Sequence, residues 1–203
     1  MSGRSERGGK RTQARLPLPY VGRRRTLEID QVTAAALGWP KSKYAWVELE
    51  RRWLCRSVPV DRVVSAEVYE DLYVTGTQLR LREAKPVGGG PVMLRLGRKA
   101  DVSPSVRLLT SIYLSPEEFR LLSALPGERL RKTRHSLGKI NGADVFVDVF
   151  EGALAGLIMA EAEFESMADM DGYAMPNFAY EEVTEDVRYT GGRLVRDGLP
   201  KVG

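Results

Sequence analysis

The feature that most constrains this chain is a set of short alternating segments whose polar faces carry charge of one sign. Between Ala45 and Leu54 one parity reads Ala45, Val47, Leu49, Arg51, Trp53 and the other reads Trp46, Glu48, Glu50, Arg52, Leu54. Side chains alternate across a strand, so both glutamates and Arg52 share a face. Near the other end, Ile158, Ala160, Ala162 and Phe164 form an apolar parity, while Glu161, Glu163 and Glu165 form an acidic one. Other segments carry the opposite sign: Arg80 with Arg82, Arg95 with Lys99, and Lys132 with Arg134. Val145, Val147 and Val149 alternate with Asp144, Phe146, Asp148 and Phe150. A face turned to bulk water usually mixes Lys, Glu, Thr, Ser and Gln. Like charges two residues apart repel unless something binds between them; carboxylates favour a divalent cation, and Arg and Lys favour phosphate.

With further segments near 68–75 and 105–114 the count is roughly eight strands at short spacing, as expected of an all-β sandwich or barrel. Gly88 to Gly90 supplies a hairpin connection. Ser115-Pro116-Glu117-Glu118 combines an N-cap, a first-position proline and first-turn acids, so a helix is expected to about Ala124. A second helix is expected between Pro176 and Glu185, and a short one over Leu27–Leu37, closed by Gly38, Trp39 and Pro40.

Charge also divides the chain. The formal net charge is +4, from 31 Lys plus Arg and 27 Asp plus Glu. Residues 1–25 hold eight basic side chains and one acid, a net of +7, leaving 23 basic and 26 acidic residues and a net of −3 for the remainder. That first stretch is rich in Gly, Ser, Arg and Pro with little to bury, so it is expected to be a disordered basic tail. Residues 26–42 form a short helical lead-in, and the main domain runs over 43–203. Cys55 is the single cysteine, so there is no intrachain disulfide and no Cys/His zinc cluster. The N-terminus has charge but no apolar run after it, and the apolar stretch around Ala153–Ala160 is far short of a membrane span. A soluble, cytoplasmic protein without membrane contact is expected.

Taken in order, Glu48-x-Glu50-x-Arg52, Arg80-x-Arg82, Lys99, Arg107, Lys132-Thr133-Arg134, Asp148, Glu161-x-Glu163 and the Glu182–Tyr189 stretch resemble the CYTH domain, the triphosphate tunnel metalloenzyme superfamily, over about residues 43–196. The resemblance implies a β-rich α+β fold: a closed eight-stranded antiparallel β-barrel with a polar interior and a few packed helices. It implies a linear triphosphate bound in the tunnel, with Mg²⁺ or Mn²⁺ held by acids, and metal-dependent hydrolysis of inorganic tripolyphosphate or a related organic triphosphate. Glu48, Glu50, Asp148, Glu161 and Glu163 are the expected metal ligands; Arg52, Arg80, Arg82, Lys99, Arg107, Lys132 and Arg134 are the expected substrate contacts. Glu48, Glu50, Arg52 and Lys99 are the expected catalytic residues. The basic set suits a ligand that carries about four negative charges at neutral pH.

Two departures from the family pattern stand out. Its first motif normally ends in Lys where this chain has Arg52, whose pKa excludes general acid or base work. Many compact bacterial members also place alternating glutamates in the strand after the Arg107 position, where this chain reads Leu108-Leu109-Thr110-Ser111-Ile112-Tyr113. The alternatives are therefore a polyphosphate- or nucleotide-binding module without turnover and a class IV type adenylate cyclase. Nucleic-acid contact is expected only through the basic tail, and the oligomer is a monomer or homodimer. His135, Tyr73, Tyr189 and Cys55 are read as packing or surface residues, and Gly191-Gly192 as a turn.

Overall fold

The computed structural model describes residues 28–200. The expected basic tail lies outside these residues, as does the start of the expected first helix. What is described of that helix, α1 (Gln31–Ala36), is capped by Asp30, whose carboxylate accepts from the Thr33 amide at 2.9 Å.

The period-two segments fold as eight long strands: β1 (Trp46–Cys55), β2 (Ser65–Val74), β3 (Leu79–Pro86), β4 (Met93–Ser103), β5 (Val106–Tyr113), β6 (Gly127–Ile140), β7 (Ala143–Phe150) and β8 (Ile158–Phe164). Every pairing is antiparallel. The order β5-β4-β3-β2-β6-β7-β8-β1 closes on itself, because β1 also pairs with β5 through Val47↔Leu108 and Leu49↔Val106. Closure removes the open edges that a flat sheet of this size would expose. Helix α2 (Pro116–Leu122) follows β5, and its capping box closes as expected: Glu118 accepts from the Ser115 amide at 2.7 Å, and Ser115 Oγ accepts from the Glu118 amide at 3.3 Å.

The main apolar core lies outside the barrel wall. Val47, Leu49 and Trp53 of β1, Val145 and Val147 of β7, and Ala160, Ala162 and Phe164 of β8 pack there with Trp39, Met170 and Tyr173. Met170 belongs to α3 (Met167–Asp171). A second core sits at one end of the barrel. There the inward rows change from charged to apolar: Leu54 succeeds Glu48, Glu50 and Arg52; Leu130 precedes Lys132 and Arg134; Met159 precedes Glu161 and Glu163. With Phe150 they meet Leu154, Leu157, Val183 and Leu194. Leu194 belongs to the C-terminal helix α4 (Gly191–Asp197).

Two local expectations are corrected. In place of a helix between Pro176 and Glu185, the chain forms a ninth strand, β9 (Ala179–Glu182), paired with β1 at Trp53↔Glu182, Leu54↔Glu181 and Cys55↔Ala179. The cause is long-range: β5 leaves that edge of β1 beyond Leu49, and β9 takes the vacated backbone groups. Arg51 fixes the pairing with a fork onto Glu182 at 2.8 and 2.6 Å. Gly191-Gly192, expected as a turn, opens α4 instead. A Cβ on Gly191 would overlap the Tyr73 hydroxyl, so the glycine permits the helix start to lie against β2.

Candidate active site

The barrel encloses a cavity of about 1020 Å³. Its lining follows strand parity. β1 and β8, neighbours in the sheet, contribute Glu48, Glu50, Glu161 and Glu163, with Glu50 opposite Glu163 in register. Halfway round the ring, β3 contributes Arg80 and Arg82. Lys99 of β4, Arg107 of β5, and Lys132 and Arg134 of β6 fill the flanks. Acid thus faces base across the interior.

The basic side chains are held from behind. Asp71, 1% exposed, accepts Nε and Nη2 of Arg82 at 2.6 Å each and lies 3.8 Å from Nη1 of Arg80. Asp148, wholly buried, accepts Lys132 Nζ together with Nε and Nη2 of Arg134 at 2.8 and 2.6 Å. Asp101, which itself lines the cavity, accepts Arg107 Nε at 2.8 Å. The Arg82 guanidinium also stacks 4.0 Å from the Tyr69 ring centroid. Such forks and stacks fix the direction of the remaining N–H groups.

The four glutamates differ in what surrounds them. Glu48 accepts Lys99 Nζ at 2.6 Å, Glu50 accepts Arg107, and Glu161 accepts Arg134. Burial works to raise the Glu48 pKa, but the charge and hydrogen bond of Lys99 outweigh it and bring the group down to about 2. Arg134 and Lys132 likewise hold Glu161 well below the usual carboxylate range despite its burial. Glu50 goes the other way: burial raises it, and the charges of Glu161 and Glu48 add to burial against the pull of Arg107. Burial, with the charge of Arg134, lowers Lys132.

The donor set fits a hard divalent cation. It is made of carboxylate oxygens, and Glu50 is a buried carboxylate under like-charge pressure that a cation would relieve. No preformed group of three or more His, Cys, Asp or Glu ligands occurs among the described residues.

Most of the residues singled out in the sequence therefore meet in one cavity. Asp148 and Arg52 do not line it. Asp148 lies beneath Lys132 and Arg134 as their counter-charge, because β7 is the strand beside β6 at Arg134↔Asp148. The Arg52 guanidinium turns to backbone carbonyls at the end of the barrel: Thr184 at 2.9 Å, with Pro104 and Tyr189 each at 3.3 Å. Leu109 and Ser111 do line the cavity, so the wall on β5 beyond Arg107 is neutral.

The sequence reading missed Asp71, Tyr69 and Arg95 as site residues. Arg95 lines the cavity, lies opposite Arg82 in register and has no carboxylate within ion-pair distance among the described residues. Burial and the charges of Arg82 and Arg80 lower its pKa. The parity it shares with Lys99 was the available signal. Tyr73 packs toward the second core and also lines the cavity, whereas the His135 ring lies 3.3 Å from the Val147 carbonyl and Cys55 is a buried free thiol.

A closed antiparallel barrel with a charge-sorted interior defines a tunnel protein. No family model matches the chain. The chain is 32% identical over 152 residues to the inorganic triphosphatase of Nitrosomonas europaea, covering 72% of this chain and 95% of that protein. Among solved structures, the inorganic triphosphatase NE1496 aligns at 27% identity with a TM-score of 0.51, covering 73% of this chain and 93% of that one. A second crystal structure, of hypothetical protein NE1496, gives the same identity and TM-score and is 97% covered. The chain belongs to the CYTH, or triphosphate tunnel metalloenzyme, superfamily.

Proposed function

We propose that this chain hydrolyses a linear triphosphate, inorganic tripolyphosphate in the first instance, bound inside the barrel with Mg²⁺ or Mn²⁺. One observation carries the reading: a single cavity sets the glutamates of β1 and β8 against Arg80 and Arg82 of β3, with further cations on both flanks. The N. europaea relative is named for this reaction.

Arg80, Arg82, Arg95, Lys132 and Arg134 bind the non-bridging phosphate oxygens, with Asp71 and Asp148 keeping four of them aimed. Lys99 and Arg107 exchange part of their carboxylate contact for phosphate. Glu48, Glu50, Glu161 and Glu163 would hold the cation, which would supply neutralisation of phosphoryl charge and a more acidic water. Water adds across one P–O–P bond and the products are orthophosphate and diphosphate. The chain's own share is positioning and charge stabilisation, which is most of what phosphoryl transfer requires.

Residues 43–203 are the proposed unit that performs this, with 26–42 as its lead-in. The buried free thiol of Cys55 suits a reducing, cytoplasmic setting. Phosphate release from tripolyphosphate in Mg²⁺ or Mn²⁺, abolished by Glu50→Gln, is the expected result. Tight binding of tripolyphosphate without release in either metal overturns it in favour of a binding module, the reading that the neutral Leu109 and Ser111 favour.

A further inference from the structure

Arg52 is 1% exposed, and its hydrogen bonds tie β1 to the turn between β4 and β5 and to the stretch between β9 and α4. Its Nη2 donates to Thr184 O, just beyond β9, and to Pro104 O in the turn between β4 and β5; its Nη1 donates to Tyr189 O in the last turn before α4. Its backbone joins in. The Arg52 amide donates to Thr184 Oγ1 at 3.0 Å, and its carbonyl accepts from the Val183 amide at 2.9 Å. Its Nε is buried without a hydrogen-bond partner and lies 3.6 Å from Glu50. Turning this guanidinium onto phosphate would strip partners from one buried and two part-buried carbonyls. A lysine has three N–H donors on one nitrogen and would have to gather the three carbonyls round a single point, whereas the planar guanidinium spreads its donors over two terminal nitrogens.

The strapped segment leads straight into the cavity wall. Leu194 of α4, 1% exposed, sits on Leu54, Leu130, Phe150 and Met159, while Arg193 and Arg196 of the same helix line the cavity.

We propose that Arg52 is a positioning residue: it straps the C-terminal segment to the barrel end and so holds α4 where Arg193 and Arg196 meet the end of the bound phosphate chain. This rests on the reading of the cavity as a phosphate-chain site.

The test uses the full chain in four forms: wild type, Arg52→Met, Arg52→Lys, and Arg193→Ser with Arg196→Ser. Amide hydrogen exchange is read alongside steady-state hydrolysis of tripolyphosphate. In Arg52→Met, exchange over residues 184–197 accelerates by about tenfold or more while β2, β3 and β4 keep wild-type protection. Its KM rises about tenfold and its kcat falls by less than about threefold. Arg52→Lys lies between it and wild type. The double variant raises KM by the same order and leaves exchange over 184–197 unchanged.

Unchanged exchange in both Arg52 variants overturns the strap. A kcat loss of about 10³ at constant KM overturns it too, since that marks a group touching the reacting phosphate. A wild-type KM in the double variant overturns the role given to α4. Should Arg52→Met fail to fold, exchange in Arg52→Lys decides. If the wild type releases no phosphate, the proposed function fails; the strap is still decided by exchange, and the role of α4 by tripolyphosphate binding.

Discussion

The basic and acidic walls of the cavity are built on different plans. Arg80 and Arg82 share Asp71, and Lys132 and Arg134 share Asp148; these two carboxylates lie behind the wall and serve no other wall. Three of the acids are balanced mainly from within the cavity, although Arg52, outside its lining, lies 3.6 Å from Glu50. Glu48, Glu50 and Glu161 take Lys99, Arg107 and Arg134, all of which line the same cavity. One wall is preorganised by counter-charges that a ligand need not disturb. The other is balanced by the very cations a phosphate chain would engage, so a ligand that brings both phosphate and a divalent cation satisfies both partners at once.

Removing an acid from the cavity face should therefore damage chemistry, and removing a backing acid should damage folding. Glu50→Gln gives the largest expected effect, a fall in kcat/KM of about 10³-fold or more, measured by phosphate release. Its stability changes by less than about 1 kcal/mol in urea, because burial already disfavours the Glu50 charge and Arg107 keeps Asp101. Asp71→Asn comes next, losing about 3–5 kcal/mol of stability because Arg82 is left buried without its counter-charge. Arg82 and Arg80 hold Asp71 below its ordinary pKa of 3.8 in spite of burial. The pair's stabilisation is thus complete above pH 3.8 and fades as pH falls below it, so the wild type and Asp71→Asn should converge in acid urea titrations. Equal destabilisation by Glu50→Gln and Asp71→Asn would erase the distinction between the walls.

Smaller effects sharpen it. Arg95 lines the cavity without an ion-pair partner among the described residues, so Arg95→Gln should raise the KM for tripolyphosphate about tenfold and leave urea stability within about 0.5 kcal/mol. Glu182→Gln, which breaks a part-exposed fork outside the tunnel, should cost about 1 kcal/mol and leave KM unchanged.

The sequence carried the walls because parity survives folding. Glu48 with Glu50, Arg80 with Arg82, Lys132 with Arg134 and Glu161 with Glu163 are each two residues apart on one strand, and closure turned every pair inward. What stayed hidden depended on neighbours distant in sequence. Asp71 and Asp148 share parity with wall residues, and only the packing above them decides that they lie beneath the wall. Arg52 shares the parity of Glu50, yet the C-terminal segment reaches it first. The stretch around Ala179–Glu182 lacks a strong strand signal of its own and becomes a strand because β1 has an edge left over.

The closing seam also sets a kinetic order. β2, β3 and β4 are joined as successive hairpins, so the arginine-bearing strand is assembled from local contacts. The glutamates come from the first and last strands of the ring, and β1 meets β8 only after nearly the whole barrel sequence is available. Loop-closure entropy makes such a pairing slow. During refolding, amides of β3 should gain protection before those of the β1–β8 seam in pulse-labelled exchange. A nascent chain of this protein would then display the arginines of its basic wall before the four cavity glutamates are brought together.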